Sequence, residues 1–577
     1  DLDTGDQPIY NEDKSLSITF NGEIYNYQKT REELIERGHT LYTKSDTEVI
    51  LHLFEEKGTE CFKDLNGYFA FALVDHKRDE MYLVRDQFGI KPLHYFSSPS
   101  AFLYGSEIKT ILADTRVPRK LNLQALHSQL NLRYNQNNET LFKGIYKVPA
   151  GHYLKIGQKG VYHLHNYFTL SYNVDTKMKE SEAIEGIRFH LDRAVRRQMI
   201  SDVPVGLYLS GGIDSGSLVA LAAKQSSTPI KTFTLGFNEP TDEFEEARLV
   251  AEMYGTDHHE IRMTPTPMAN MERAIWHAEE PKINLLQGLM MSEALSKEVT
   301  VALSGLGGDE LFCGYDIYSY VNPLKRVFQR TPRFFESLIG MPFSKSVFSF
   351  GNRFLPMKLD EYRRGVEMLS SIGNIQRFYL ILRNVWEYNK SFYNAIYHPD
   401  IMKENLNVDG LFSELFTGNN ALEDVLHVEF HSKMQNDYLL TEDRMSMANS
   451  IEQRVPFLDK DFVEFAFTIP SSLKIKNGTT KYILRKAMEP YLPQKNVSKA
   501  KWGFTFNPYL QFQKDLKEKA ETVLTEERVR GDKLFNYDYI RRILDAEPHP
   551  KMRWHYNYIW LLVGFYIWKD QFNVDIR

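Results

Sequence analysis

The sequence predicts an α+β amino-terminal half of mainly antiparallel sheet, then an α/β half with a doubly wound parallel sheet and a helical carboxyl-terminal extension. Short strand-like runs separated by turns continue to about residue 165, and strands alternate with helices from about residue 183. Residues 166–182 are polar and lack a clear period. We therefore expect a first domain over 1–165, a linker over 166–182 and a second domain over 183–577.

The first half contains strand signals on both sides of one amphipathic helix. Apolar and polar residues alternate over 16–20, and further strand-like runs occupy 68–75, 81–86 and 103–107. Between them, residues 47–58 place Val49 and the later apolar positions at helical spacing. This order predicts a sheet with helices rather than a helical bundle.

The second half begins with a regular alternation of strands and helices. The predicted elements, in the order strand, helix, strand, helix, strand and strand, cover 206–212, 215–225, 230–237, 244–254, 258–263 and 299–305. Such alternation implies right-handed parallel crossovers, with ligands at the carboxyl ends of the strands. After about residue 320 the pattern is mostly helical.

The composition favours small molecules as the substrates of this protein. The 577 residues are 42% hydrophobic and carry a net charge of −6 without a basic block, which argues against nucleic-acid binding. The apolar run 558–568 is much shorter than the roughly 20 residues that span a bilayer, so it predicts a buried helix. Two cysteines, Cys61 and Cys313, cannot form a disulfide framework, which favours a reducing compartment such as the cytoplasm.

Two glycine-rich segments after strands predict a phosphate site. The segment SGGIDS, Ser210 to Ser215, lies between a strand and a helix, where hydroxyls and helix N–H groups form an anion cradle. It matches neither a Walker A loop nor a dinucleotide fingerprint. Asp214 would repel phosphate there unless a cation lay between them, which predicts bound Mg²⁺. The segment SGLGGDE, 304–310, predicts a second wall of the same crevice, with Asp309 completing the Mg²⁺ site.

These segments resemble a known family over essentially the whole chain. The synthetase domain of the glutamine-dependent asparagine synthetases, which are ATP pyrophosphatases, is similar to 201–216, 304–315 and 443–459. The class II glutamine amidotransferase domain of the same family, which has an Ntn-type fold, is similar to 21–27, 44–50, 65–73 and 85–95.

The resemblance implies roles for individual residues. Asn21 and Gly22 would form the oxyanion hole, and with Glu23 and Asp46 they would bind glutamine. Lys481 would neutralise charge on the phosphates, and Asp214 and Asp309 would bind the metal. The implied ATP and pyrophosphate ligands are Ser210, Gly211, Gly212, Asp214, Ser215, Leu235, Ser304 and Gly305.

One departure concerns the nucleophile. Class II amidotransferases use an amino-terminal cysteine, whereas residue 1 here is Asp, which aligns with the Asp that closes the family's RLSI(I/V)D motif. We therefore expect that roughly 50 preceding residues, including that cysteine, are missing. Cys61 and Cys313 are expected to be packing residues, so this chain should use free ammonia only.

A second departure concerns the acceptor. Leu306 stands where asparagine synthetases carry an acid that helps to bind the acceptor. The resemblance implies that MgATP activates a carboxylate as an acyl-adenylate, which ammonia derived from glutamine converts to the amide, with aspartate as the leading acceptor. Another carboxylate, such as a sugar acid or a secondary metabolite, is the alternative. A non-catalytic homologue is disfavoured because Asp214, Asp309 and Lys481 are all present. The sequence leaves open whether the chain forms a homodimer. It also leaves open whether Glu452 and Arg454 form a buried pair.

Overall fold

The computed structural model describes residues 4–237, 242–263, 267–330, 373–383, 395–418, 420–499 and 506–576, with isolated positions between 357 and 371. Its strands are β1 Ile9–Tyr10, β2 Leu16–Ile24, β3 Gly67–Asp75, β4 Glu80–Arg85, β5 His94–Ser98, β6 Ala101–Gly105, β7 Ile145–Lys147, β8 His152–Ile156, β9 Tyr162–Asn166, β10 Val205–Tyr208, β11 Lys231–Gly236, β12 Asp257–Arg262, β13 Val301–Leu303 and β14 Glu452–Arg454.

Helices surround these strands and dominate the later part of the chain. The α-helices are Tyr27–Glu36, Glu48–Lys57, Ile108–Ile111, Leu123–Leu132, Glu180–Gln198, Ile213–Ala223, Phe244–Tyr254, Met271–Ala278, Leu285–Leu295, Gly308–Phe312, Asp316–Arg330, Ile375–Leu382, Ala421–Glu429, Leu439–Met447, Lys460–Thr468, Ser471–Lys474, Tyr482–Met488, Gln494–Ser498, Pro508–Gln511, Lys517–Val523, Glu526–Asp532, Tyr537–Asp545 and Arg553–Gln571. Two π-helical segments, Phe430–Tyr438 and Phe512–Leu516, continue helices.

The amino-terminal half contains two antiparallel sheets. One has the strand order β1-β2-β3-β4-β8-β9, and the other has the order β6-β5-β7. Between the helices and the larger sheet, Phe62, Phe71 and Tyr82 pack edge to face. Their burial removes the apolar face of the sheet from water, which is the main favourable contribution to folding. The predicted α+β class of this half is confirmed.

The second half is organised around a five-stranded parallel sheet with the order β12-β11-β10-β13-β14. The order reverses between β10 and β13, so the loops that follow these two strands leave the sheet side by side. The predicted doubly wound sheet is confirmed. Strand β14 was not predicted, because its three residues carry no periodic apolar signal.

The end of β10 and the start of the next helix differ from the sequence predictions, whereas the predicted buried helix near the carboxyl terminus is present. Strand β10 ends at Tyr208, and the chain turns through Gly211, whose φ is +65°, into a helix that begins at Ile213. The apolar run 558–568 lies in the buried helix Arg553–Gln571, as predicted. Among the described residues, no helix is long and apolar enough to cross a membrane. Residues 167–179 form neither strand nor helix.

Candidate active site

The first phosphate loop closes tightly on itself after β10. The Ser215 hydroxyl accepts a hydrogen bond from the Ser210 backbone N–H at 3.1 Å, and the two hydroxyls lie 3.1 Å apart. A Cβ at Gly211 would lie 2.5 Å from Cβ of Glu246, so only glycine fits this turn. Gly212 precedes the first residue of the helix Ile213–Ala223, whose free N–H groups face the loop. The loop therefore has the tight turn and the helix amino terminus on which the predicted anion cradle depends.

A buried asparagine that sequence analysis missed supports this loop from behind. The Asn496 side-chain amide donates to the Gly211 carbonyl at 2.9 Å and to the Glu246 carbonyl at 2.8 Å. These two bonds tie the loop to the neighbouring helix Phe244–Tyr254. No local motif around Asn496 signals this contact, since its partners lie about half the chain away.

Lys481 joins the two glycine-rich segments. Its ammonium contacts the carboxylate of Asp214, and it lies 2.6 Å from Oδ1 of Asp309. All three side chains are largely buried, with 3%, 14% and 9% of their surfaces exposed, respectively. The structure therefore brings together the three charged residues that the sequence assigned to one crevice.

The backbone holds Lys481 in an uncommon conformation. Its φ of +54° places it in the left-handed region, and its N–H donates to the Phe312 carbonyl at 3.1 Å. The helix Tyr482–Met488 begins at the next residue. Such strain persists where surrounding structure determines it, often at functional positions.

The two carboxylates form a donor set that suits Mg²⁺. Asp214 and Asp309 converge on one cationic atom, and hard oxygen ligands are those that Mg²⁺ prefers. Glycines clear the space around them: a Cβ at Gly308 would lie 2.5 Å from Oδ1 of Asp214, and a Cβ at Gly314 would overlap Asp309. The residues present therefore fit a divalent ion, with water or phosphate oxygens as further ligands.

The second phosphate loop also contains an acid and an apolar residue. Burial and the neighbouring Asp309 carboxylate raise the pKa of Glu310 to about 7, while a hydrogen bond from the Tyr315 hydroxyl opposes this shift. Leu306 packs, half-buried, against the main hydrophobic cluster. Leu306 thus contributes a hydrophobic wall without an ionisable group.

The remaining predicted nucleotide residues lie along the same sheet edge. Leu235 is buried near the carboxyl end of β11, which pairs with β10. Ser304 follows β13, and its N–H donates to the Arg454 carbonyl at 2.8 Å. A Cβ at Gly305 would lie 2.9 Å from Cβ of Asp214, so the two phosphate loops are in direct contact.

The four residues predicted to bind glutamine lie on and beside β2. Asn21 donates from its side-chain amide to the Ser106 hydroxyl at 3.1 Å. Gly22 pairs with Phe69 at a φ of +147°, and any Cβ there would overlap the carbonyl of Tyr68. This close approach of two strands requires glycine.

Glu23 and Asp46 provide acidic groups beside these strands. Asp46 accepts a hydrogen bond from the Ile24 N–H at 2.7 Å, and burial raises its pKa. Burial, together with the Glu452 and Asp46 carboxylates, raises the pKa of Glu23 to about 8. Arg454 opposes this shift. A cationic ammonium group from a ligand would relieve the repulsion among these acids.

Arg454 connects the two predicted catalytic halves. Its guanidinium donates to the carbonyls of Gln198 and Ile200, at 2.8 and 2.5 Å, and to Oε1 of Glu452 at 2.6 Å. It also lies 3.5 Å from Oε1 of Glu23. Glu452 and Arg454 thus form an ion pair, in which Arg454 is buried but the Glu452 side chain is 26% exposed, and Arg454 faces the amino-terminal half.

The two cysteines of the sequence are both inaccessible. Cys61 and Cys313 have no exposed surface. Burial raises the pKa of each thiol, so neither is a thiolate at neutral pH. This agrees with the prediction that both are packing residues.

Comparison with known proteins identifies two domains. The family model described as asparagine synthase matches residues 186–570, and the one described as glutamine amidotransferase domain matches residues 1–168. The chain is 31% identical to asparagine synthetase (glutamine-hydrolyzing) 1 of Bacillus subtilis strain 168, covering 100% of this chain and 89% of the relative. It is 27% identical to asparagine synthetase (glutamine-hydrolyzing) 3 of the same strain, covering 100% and 91%. It is also 29% identical to amidase chyE of Penicillium rubens strain Wisconsin 54-1255, covering 86% and 78%.

Proposed function

Because the chain belongs to the asparagine synthase family, we propose that it activates a carboxylate with ATP as an acyl-adenylate and converts it to an amide with ammonia. Aspartate is the leading acceptor, since the relatives from Bacillus subtilis carry the name asparagine synthetase. Glutamine is the proposed source of that ammonia, because residues 1–168 match a glutamine amidotransferase domain.

The contact of Lys481 with both Asp214 and Asp309 carries this proposal. Each carboxylate follows a different strand of the parallel sheet, and the two strands flank the point where the strand order reverses. A lysine beside two carboxylates, between two glycine-rich loops, suits the binding of a polyphosphate together with a divalent metal.

In the proposed reaction, the first loop binds the β- and γ-phosphates through its N–H groups and the hydroxyls of Ser210 and Ser215. The acceptor carboxylate attacks the α-phosphorus, the bond to the bridging oxygen breaks, and pyrophosphate leaves. Lys481 neutralises the charge that grows on the leaving group. Bound Mg²⁺, held by Asp214 and Asp309, would add Lewis-acid stabilisation of phosphate oxygens. Ammonia then attacks the acyl carbon, loses a proton and expels AMP.

Leu306 supports a second acceptor class. A leucine side chain neither accepts a proton nor binds an ammonium group, whereas aspartate presents an α-ammonium to its site. The relative named amidase chyE shows that chains of this architecture also carry names other than asparagine synthetase. An acceptor with an apolar group beside its carboxylate would match the Leu306 wall better than aspartate does.

Exchange of labelled pyrophosphate into ATP, measured with a panel of carboxylic acids, tests these alternatives. Exchange with aspartate supports asparagine formation, and exchange with another acid alone supports the second class. Leu306→Glu should shift exchange towards aspartate in the second case. The absence of exchange with every acid, in a folded protein with MgATP, would contradict the proposed activation step.

The nitrogen donor is tested separately. Because Cys61 and Cys313 are both buried, we propose that neither serves as the nucleophile that releases ammonia from glutamine. Cys61→Ser and Cys313→Ser should leave pyrophosphate exchange and ammonia-dependent amide formation in place. Glutamate release that either substitution abolished would overturn this assignment.

A further inference from the structure

A second group of metal-ligating side chains lies in the amidotransferase half, outside the proposed catalytic residues. It consists of Glu12, His39, His52 and Glu55, whose nearest ligand atoms all lie within 4.8 Å of one another. Glu12 belongs to the turn between β1 and β2, His39 follows the helix Tyr27–Glu36, and the other two belong to the helix Glu48–Lys57. Three separate elements therefore converge on one point.

The nitrogen–oxygen distances within this cluster are of the size expected between ligands of one metal ion. Nδ1 of His39 lies 3.7 Å from Oε1 of Glu12 and 3.5 Å from Oε2 of Glu55. Nδ1 of His52 lies 3.4 Å from Oε2 of Glu12 and 3.1 Å from Oε2 of Glu55. Ligands about 2.0–2.2 Å from a tetrahedral zinc are separated from one another by about 3.3–3.6 Å. These four distances lie near that separation, with the two histidines facing different oxygens of the Glu12 carboxylate.

The outward-facing nitrogens of both imidazoles meet further carboxylates. Nε2 of His39 lies 3.3 Å from Oε1 of Glu56, and Nε2 of His52 lies 3.6 Å from Oε1 of Glu48. Glu48 is itself held by the N–H of Thr43 at 2.6 Å. Histidines that bind zinc characteristically point their second ring nitrogen at a carboxylate, which fixes the ring and its tautomer.

The inner carboxylates are also oriented by the protein. Oε1 of Glu55 accepts from the Asn11 side-chain amide at 2.7 Å, and Oε1 of Glu12 accepts from the Thr40 N–H at 3.0 Å. Both bonds leave the carboxylates directed towards the histidine rings. The ligand set is thus held in place by neighbouring donors rather than by chance proximity on the surface.

The two histidines lie beside each other within the cluster. The His39 and His52 ring centroids lie 5.0 Å apart, and the His52 side chain has no exposed surface. A divalent ion between the rings would offset the negative charge of Glu12 and Glu55, whose carboxylates lie within 3.7 Å of the histidine Nδ1 atoms.

We propose that Glu12, His39, His52 and Glu55 bind a structural zinc ion. Two imidazole nitrogens beside two carboxylates favour zinc over magnesium or calcium, which prefer oxygen ligands in larger shells. The ion links the β1–β2 turn to the helix Glu48–Lys57, which begins just after Asp46. It therefore fixes the direction in which the glutamine-binding segment enters that helix.

The test uses the full chain, stripped with a chelator and then mixed with zinc sulfate. One zinc ion per chain should remain bound after gel filtration, as counted by elemental mass spectrometry, and the thermal midpoint should rise with zinc concentration. Cobalt(II) in place of zinc should give the visible absorption of a tetrahedral complex. A chain that retains no zinc and shows no midpoint shift would overturn the proposal.

Variants distinguish this site from adventitious binding. His39→Gln and Glu12→Gln change partly exposed ligands, so the fold should survive, and both should abolish the bound ion and the midpoint shift. His163→Gln changes an exposed histidine on β9 and should retain both. Equal zinc binding by all three variants would assign the ion elsewhere and contradict the proposal. Pyrophosphate exchange by each variant reports that the chain is folded.

Discussion

Replacing Lys481 with methionine removes the cation that holds Asp214 and Asp309 together. Both carboxylates contact the same ammonium nitrogen, so their nearest oxygens lie within about 5 Å of each other. Two unit charges at that separation repel by about 3 kcal/mol at an effective dielectric constant of about 20. The variant also leaves both carboxylates buried without the lysine. We therefore expect a loss of about 3–5 kcal/mol in the free energy of unfolding without metal.

Magnesium should restore part of this loss. A divalent ion that binds both carboxylates stabilises the folded variant by a free energy that rises with the logarithm of its concentration above its dissociation constant. The wild type should gain less, because Lys481 already neutralises the pair. Urea unfolding with and without MgCl₂, together with hydrogen exchange of the helix Tyr482–Met488, measures both effects. Pyrophosphate exchange should fall on the order of 100- to 1000-fold in the variant.

Lys486→Met is the matched control. Lys486 lies on the helix Tyr482–Met488, which follows Lys481, but its side chain is 42% exposed and pairs with the exposed Glu489. Its replacement should leave unfolding, magnesium response and exchange essentially unchanged. The explanation fails if Lys481→Met is as stable as this control without magnesium, or if magnesium stabilises both variants equally.

Three further perturbations test other parts of the structure. Gly211→Ala puts a methyl group 2.5 Å from Glu246 and should reduce pyrophosphate exchange on the order of 100-fold. Gly255→Ala is the control, because Gly255 also has a positive φ, +60°, but a Cβ there would have no atom within 4 Å, so its exchange should not fall. Equal exchange by the two variants would contradict the clash at Gly211. Burial lowers the pKa of Lys147 to about 7, below its unfolded value of about 10.4, so the unfolded chain binds more protons between these values. The free energy of unfolding should therefore rise from about pH 7 to 10, and urea titrations of Lys147→Met should lack that rise. Arg454→Met should cost about 3–5 kcal/mol and separate the two halves into distinct calorimetric transitions; a single unchanged transition would count against the coupling.

The sequence could place the two glycine-rich loops in one crevice because their determinants are local. A strand that ends in glycines and hydroxyls and continues as a helix can form few other structures, and the segment Ser210–Ser215 has this form. The pairing of Asp214 with Asp309 required one further inference, that the two strands lie side by side. Strand–helix alternation supports that inference because it implies a doubly wound sheet.

Contacts between distant segments could not be predicted in this way. Asn496 supports Gly211 across 285 positions, and β14 joins the sheet with only three residues. Neither has a periodic pattern, since each is determined by what the rest of the chain places beside it. His39 and His52 illustrate the same limit: their separation of 13 positions matches no spacing motif, and only the loop between the helices brings their rings together.

Strand β14 restricts how such chains can be recombined. The carbonyl of its last residue, Arg454, accepts a hydrogen bond from the Ser304 N–H, and the Arg454 guanidinium lies against Glu23. This strand of three residues therefore contacts both halves of the chain. A chimera cut between residues 166 and 182 would exchange Glu23 while keeping the Arg454 that faces it. The two halves therefore share contacts that a cut in the linker would separate. A successful exchange of domains would have to transfer β14 together with the amidotransferase half.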